Sequence, residues 1–334
     1  VLVADLASGD PFPDDVRAAL LSADCTKVAH NCAFERACLC RSLGAYMPPE
    51  EWRDTMNLCA MSGLPQSLDA AGAALGLEQQ KIKEGVSLIS YFCKPCKPTI
   101  ANGGRTRNLP HHAPDKWARF RAYGLRDVEV ERAIYDRLGS FPVPDWEQAV
   151  RCLDARINER GVGVDVELAE AAVAVNEAAV GSYAEELRRL TGLENPNSVA
   201  QLKGWFDSVG IKVDSLNKAT VADLMASNAD PVIRRVLQLR ALMGKTSVKK
   251  YNAMLAAASP EDHRLRGMMQ YYGAGRTGRW AGRIVQPQNL PQNHLDDIGE
   301  VRELVRGRDL ETLGLLFDSV PDVLSQLIRT ALVA

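Results

Sequence analysis

A chain of 334 residues with 46% hydrophobic and 25% charged residues can build two or three packed domains, and it holds no apolar run near the ~18–20 residues of a membrane span. Its 40 Lys and Arg against 42 Asp and Glu give a formal charge of −2, the balance of an ordinary soluble enzyme, and without a basic-then-apolar leader the default location is the cytoplasm. Eight cysteines in so long a chain exclude a disulfide scaffold, so Cys32, Cys38 and Cys40 read as reduced thiols.

In chain order, Val1–Ala4 and Lys27–His30 read as short strands, and helices are expected near 14–22, 33–43, 67–75 and 116–138. The stretch 94–114, rich in Pro, Gly, Asn and basic residues, reads as a long exposed loop. Cys93-Lys-Pro-Cys96, with His111 and His112 farther on, has a faint zinc-like spacing but no second well-spaced pair, which favours the loop reading. Phe141-Pro-Val-Pro144 punctuates the chain, and a domain boundary is placed there. Beyond it Trp146, Val150, Leu153 and Ile157 recur at helical spacing, with Gly161 as the stop. Asp165 to Leu190 forms a long amphipathic helix ended by Thr191-Gly192, Asn197 or Ser198 caps a helix carrying Leu202 and Trp205, another helix follows Asn217, and one long helix spans about 231–258. A start without methionine and a last segment, Leu324 to Ala334, inside an apolar helical pattern read as a piece of a longer protein.

The net charge conceals an asymmetry. Residues 231–295 carry 11 Lys and Arg against two acids, Glu261 and Asp262, a footprint for a polyanion. Inside this stretch, Tyr271 to Pro291 combines Gly273, Gly275, Gly278 and Gly282, which allow close backbone approach, with Arg276, Arg279 and Arg283, whose forked donors suit phosphates and base edges. Gln286, Gln288 and Asn289 add amides that donate and accept. Arg234, Arg235, Arg240, Lys245, Lys249 and Lys250 supply further charge for phosphates without base specificity.

Thr277-Gly278-Arg279, then Gln288-Asn289 after eight residues, then Pro291, resembles the primer-template segment of the family A DNA polymerases, in particular their phage members. Asn158-Glu-Arg-Gly-Val-Gly-Val-Asp165 and Asn195-Pro-Asn-Ser198 followed by Gln201-Leu202 are similar to two turns of the same family, in the same order. The resemblance implies an α/β ribonuclease H-like 3′-to-5′ exonuclease domain over 1–140, a mainly α-helical thumb over 145–260 and the start of the α+β palm over 261–334. It implies that Arg279 contacts the primer strand from the minor groove with Gln288 and Asn289 nearby, and that primer-template DNA and deoxynucleoside triphosphates are the partners of the complete protein. Trp280-Ala-Gly-Arg-Ile-Val-Gln286 departs from the bacterial members, where a Ser-rich stretch is usual.

Proofreading exonucleases of this family hold two divalent metals, Mg2+ or Mn2+, on four carboxylates. His30-Asn31-Cys-Ala-Phe34-Glu35 resembles one of their motifs with Glu in place of Asp, and Tyr123-Gly-Leu-Arg-Asp127 resembles another. Glu35 and Asp127 are thereby implied as metal ligands and Tyr123 as the group that orients the attacking water; read from the residues alone, Asn31 is a helix cap and Tyr123 with Asp127 one face of a helix. The Asp-x-Glu pair is expected ahead of Val1, and the palm aspartates and fingers after Ala334, so this chain by itself is expected to extend no primer. The rival readings are a metal-dependent exonuclease with a DNA-binding tail and a non-catalytic DNA-binding module; no processivity factor is named by the sequence.

Overall fold

The computed structural model describes residues 2–77, 84–141, 143–245, 248–275 and 277–334. In chain order its elements are α1 (Asp14–Leu21), β1 (Lys27–Ala29), α2 (Cys32–Leu43), β2 (Trp52–Asp54), α3 (Thr55–Met61), α4 (Leu68–Ala74), α5 (Gly85–Cys93), α6 (Pro114–Leu138), α7 (Asp145–Arg160), β3 (Val162–Val164) and α8 (Val166–Thr191). Then follow α9 (Val199–Ser208), α10 (Lys218–Ser227), α11 (Pro231–Met243), α12 (Lys249–Ala257), β4 (Arg264–Leu265), β5 (Met269–Ala274), β6 (Arg279–Gly282), α13 (Ile298–Arg306), α14 (Leu310–Leu316), α15 (Val320–Leu327) and β7 (Leu332–Val333). They group into two compact units, one made of the chain up to Asn158 with Met269–Ala281, the other of Glu159–Met268 with Gly282–Ala334. The expected thumb segment 145–260 is therefore shared between the units, most of α7 going with the first.

In the first unit β1 and β2 pair in parallel, Lys27 opposite Trp52 and Ala29 opposite Asp54, which demands a crossover, and α2 supplies it. Ala29, Cys32, Leu43, Met47 and Trp52 form the core between them. A second core is built where Val130, Ile134 and Leu138, one stripe of α6, meet Leu58, Cys59, Leu68 and Ala71 of α3 and α4. Asp54 ties this layer together: its carboxylate caps α3 through Met56 N–H and accepts the N–H groups of Asn31 and Cys32 at 2.9 and 3.1 Å. Asn31, expected to cap α2, stands at that position in left-handed backbone with no side-chain bond to the helix, because Asp54 takes the amides instead. Leu2–Ala4 is not a strand; the chain turns on Asp5, whose carboxylate accepts Ser8 N–H, Ser8 Oγ and, at 2.6 Å, Trp117 Nε1.

The helix expected from Trp146, Val150, Leu153 and Ile157 forms as α7, but with that apolar stripe outward. Trp146 and Leu153 are 66% and 55% exposed, while Glu147, Arg151, Cys152 and Asp154 are buried. The polar face is wanted inside: Arg151 Nη2 donates to the Pro49 and Trp52 carbonyls at 2.6 and 2.9 Å, satisfying backbone acceptors at and just before the start of β2.

The second unit is arranged on α8, capped by Asp165 and stopped by Gly192 at φ +69°. Its small and apolar residues Leu168, Ala169, Ala172 and Val175 face inward, and α11, α12, α13 and α15 pack along it. Leu187, Leu202, Phe206, Val236, Leu237 and Leu239 make the core where α8, α9 and α11 meet. Ser198 and Asn217 cap α9 and α10 as expected. The single helix expected over 231–258 is instead two, α11 and α12, because the helix stops at Gly244, the poorest non-proline helix former, and Lys245 N–H turns back to the Leu242 carbonyl. A small antiparallel sheet, β4-β3-β7, closes the unit.

Candidate nucleic-acid interface and carboxylate cluster

The arginine segment of the first unit is a hairpin, β5 and β6 joined by a tight turn. Thr277 and Gly278 N–H groups both bond to the Ala274 carbonyl, and Gly278 sits at φ +65°. Arg279 follows, exposed, with its Nε donating to Thr277 Oγ1 at 3.2 Å. It takes part in no ion pair among the described residues. The Thr-Gly-Arg spacing thus produces a forked cation whose direction is set by a hydroxyl two residues earlier. Arg276, the other turn arginine, lies outside the described residues.

In the second unit, Arg283 is exposed and its N–H donates to the Met268 carbonyl at 2.7 Å. Gln288 lies against Gly282, where an added Cβ would fall 2.4 Å from the amide, and Asn289 Nδ2 donates to Gln286 Oε1 at 3.0 Å. The helical cations divide into two kinds. Arg234 and Lys249 are exposed and in no ion pair among the described residues. Arg235 is a two-point partner of Glu186 at 2.8 and 2.7 Å, holding that carboxyl below its usual range, Lys245 pairs with Asp322, and Lys250 Nζ donates to the Val285 carbonyl at 2.7 Å. Arg240 is half-buried, its Nε without a hydrogen-bond partner among the described residues. Sequence alone marks all six as equivalent; acids and carbonyls distant in the chain make them different.

The carboxyl groups of the first unit come from α2 and α6. Glu35 is half-buried, its Oε2 enclosed without a hydrogen bond among the described residues, and burial, aided by Asp54, pushes its carboxyl up to about 7. Asp127 stands one turn beyond Tyr123 on α6. Tyr123 is buried, its ring packed on Gly85 and parallel to Phe120 at a centroid distance of 6.2 Å. Glu131, one further turn along α6 and absent from the expected set, is pushed up to about 7 by burial first, then by the charges of Glu35, Asp54 and Asp127. Its position at i+4 from Asp127 was the available signal. Among the described residues no three His, Cys, Asp or Glu side chains converge as a cation cage, so those present do not by themselves fit a two-metal centre. Cys96 lies in the loop, its thiol donating to the Arg105 carbonyl at 3.4 Å.

Glu35 and Glu131 carry a stability prediction. Each has a folded value near 7 against an ordinary 4.5, so the folded state holds protons that the unfolded state has released, and stability falls as pH rises from about 4.5 through 7. Glu35→Gln with Glu131→Gln is expected to stabilise the protein at pH 8 by on the order of 1 kcal/mol per site after solvent screening, and to change nothing at pH 4. Urea titrations at both pH values measure this; an equal effect at both would remove buried charge as its cause.

No protein-family model matches the chain. It is 48% identical over 333 residues to the DNA polymerase of Bacillus phage SP02, a match covering all of this chain and 51% of that protein, so the chain spans about half the length of its curated relative. A solved structure of the POL domain of Pol1 from M. smegmatis, in complex with DNA primer-template and dNTP, aligns at a TM-score of 0.49 with 15% identity, covering 88% of this chain and 48% of that one. Over its whole length the chain is similar in sequence to a phage DNA polymerase. Among the described residues no helix is long and apolar enough to cross a membrane.

Proposed function

We propose that this chain is the portion of a family A DNA polymerase that holds primer-template DNA, comprising a ribonuclease H-like 3′-to-5′ exonuclease domain, the thumb and the beginning of the palm. The observation that carries the reading is Arg279, unpaired with any acid among the described residues, exposed on a hairpin and directed by Thr277. The 48% identity to a phage DNA polymerase supports it. Template-directed DNA synthesis from deoxynucleoside triphosphates belongs to the complete protein under this reading. So does a requirement for Mg2+ or Mn2+; Glu35 and Asp127 would supply two of the carboxylates, and a two-metal centre needs others besides them.

Binding to primer-template DNA should be electrostatic, with a log-log salt slope of roughly −4 to −5 if about five phosphates are neutralised. The pairing pattern sharpens the expectation. Removing the charges of Arg234 and Lys249 should flatten the slope by up to ~1 for each phosphate that is then left without a cation, whereas Arg235→Gln should leave the slope alone and lower the melting temperature by breaking the fork to Glu186. Fluorescence anisotropy across a salt series measures the slopes; an unchanged slope in the Arg234→Gln, Lys249→Gln double variant would take these helices out of the interface.

A further inference from the structure

The hairpin that carries Arg279 is held to α7 by three polar groups of one helix face, Glu147, Asp154 and Asn158, spaced seven and four residues apart in sequence. Tyr271 Oη donates to Glu147, Trp280 Nε1 donates to Asp154 Oδ1 at 2.7 Å, and Asn158 exchanges two bonds of 2.9 Å with the Met269 backbone while donating to Asp154 Oδ2 at 3.1 Å. The Tyr271 and Trp280 rings meet edge to face at 5.4 Å, so the two anchors brace each other. Burial raises both the Glu147 and the Asp154 carboxyls. An apolar contact of the same volume would join the helix to the hairpin without that cost, so what the carboxyls add is direction: a hydrogen bond fixes the orientation of an indole where an apolar contact leaves it free to slide.

Direction matters because Trp280 and Arg279 are neighbours on β6. Successive side chains on a strand point to opposite faces, so a Trp280 bound to α7 turns Arg279 to the other face of β6; Arg279 is exposed, and Trp280, 42% exposed, keeps its indole N–H on Asp154. A slip of one residue would exchange the two faces. We propose that Asp154 and Glu147 are positioning residues which, through Trp280 and Tyr271, set the face from which Arg279 meets DNA; this rests on the reading of Arg279 as a contact to the paired primer end.

The test is a double-mutant cycle on the full chain. Asp154→Ala and Trp280→Phe each remove the indole bond, the second while keeping an aromatic ring, and Asp154→Asn keeps an acceptor for Trp280. All three are made with Arg279 intact and with Arg279→Ala, and affinities are measured for a primer-template junction and for single-stranded DNA at one salt concentration. With Arg279 intact, Asp154→Ala and Trp280→Phe should each weaken junction binding about tenfold and single-strand binding less than about twofold, while Asp154→Asn restores most of the junction affinity. In the Arg279→Ala background the same changes should have no further effect. Equal losses on both DNA forms or in both backgrounds would mean a merely structural role, as would a Trp280 indole NMR signal unmoved by Asp154→Ala. Should Asp154→Ala fail to fold, Trp280→Phe decides alone. If Arg279→Ala leaves junction binding intact, the reading of Arg279 falls; if it weakens binding while the α7 variants do not, only the anchoring inference falls.

Discussion

Replacing Arg279 by Ala should cost roughly 1.5–3 kcal/mol of affinity for a primer-template junction, about ten- to a hundredfold, while single-stranded DNA loses far less. The asymmetry follows from the kind of contact proposed. A guanidinium reading acceptors beside a paired primer end has no equivalent partner on a single strand, whereas a cation directed only at phosphate meets the same group on both. The competing role for such a residue is an ion pair within its own domain. That role predicts a lower melting temperature and no selectivity between the DNA forms, but Arg279 forms no ion pair among the described residues and its side-chain partner is the Thr277 hydroxyl. Parallel measurement of both affinities and the melting temperature separates the two: equal losses on the two DNA forms, or unfolding alone, would assign Arg279 to the fold instead.

Gly161→Ala should destabilise the second unit on the order of 3 kcal/mol or more. Gly161 ends α7 at φ +69°, which costs an L-residue roughly 1 kcal/mol by itself. Its added Cβ would also stand 2.6 Å from the Leu265 carbonyl oxygen and 3.0 Å from Arg266 Cγ. Leu265 is paired with Val162 across β4 and β3 and is fully buried, so that oxygen cannot retreat without opening the small sheet. Gly192→Ala is the control. It has the same φ of +69° but nothing within 4 Å of the added Cβ, so only the backbone penalty of about 1 kcal/mol applies. Chemical denaturation of both variants gives the difference; similar losses would show that the sheet yields.

Much of this protein is encoded locally. The caps Ser198 and Asn217, the glycine stops after α7 and α8, the exposed stretch before α6 and the Thr-Gly-Arg turn each arise from the conformational preferences and hydrogen bonds of neighbouring residues, so the sequence by itself determined them. Tertiary structure decided which face of a helix is buried and which charges are already spoken for. The apolar stripe of α7 predicts a helix correctly yet lies outside, since the helix is buried by partners distant in the chain: Arg151 reaches the Pro49 and Trp52 carbonyls, and Glu147 and Asp154 receive Tyr271 and Trp280. In the same way Arg235 and Lys245 look as free as Lys249 until Glu186 and Asp322 arrive beside them, and Glu131 is an ordinary helical acid until α2 and β2 bring Glu35 and Asp54 close. Periodicity and propensity report the backbone's local choice; burial and electrostatics depend on distances between segments that no short window of sequence contains.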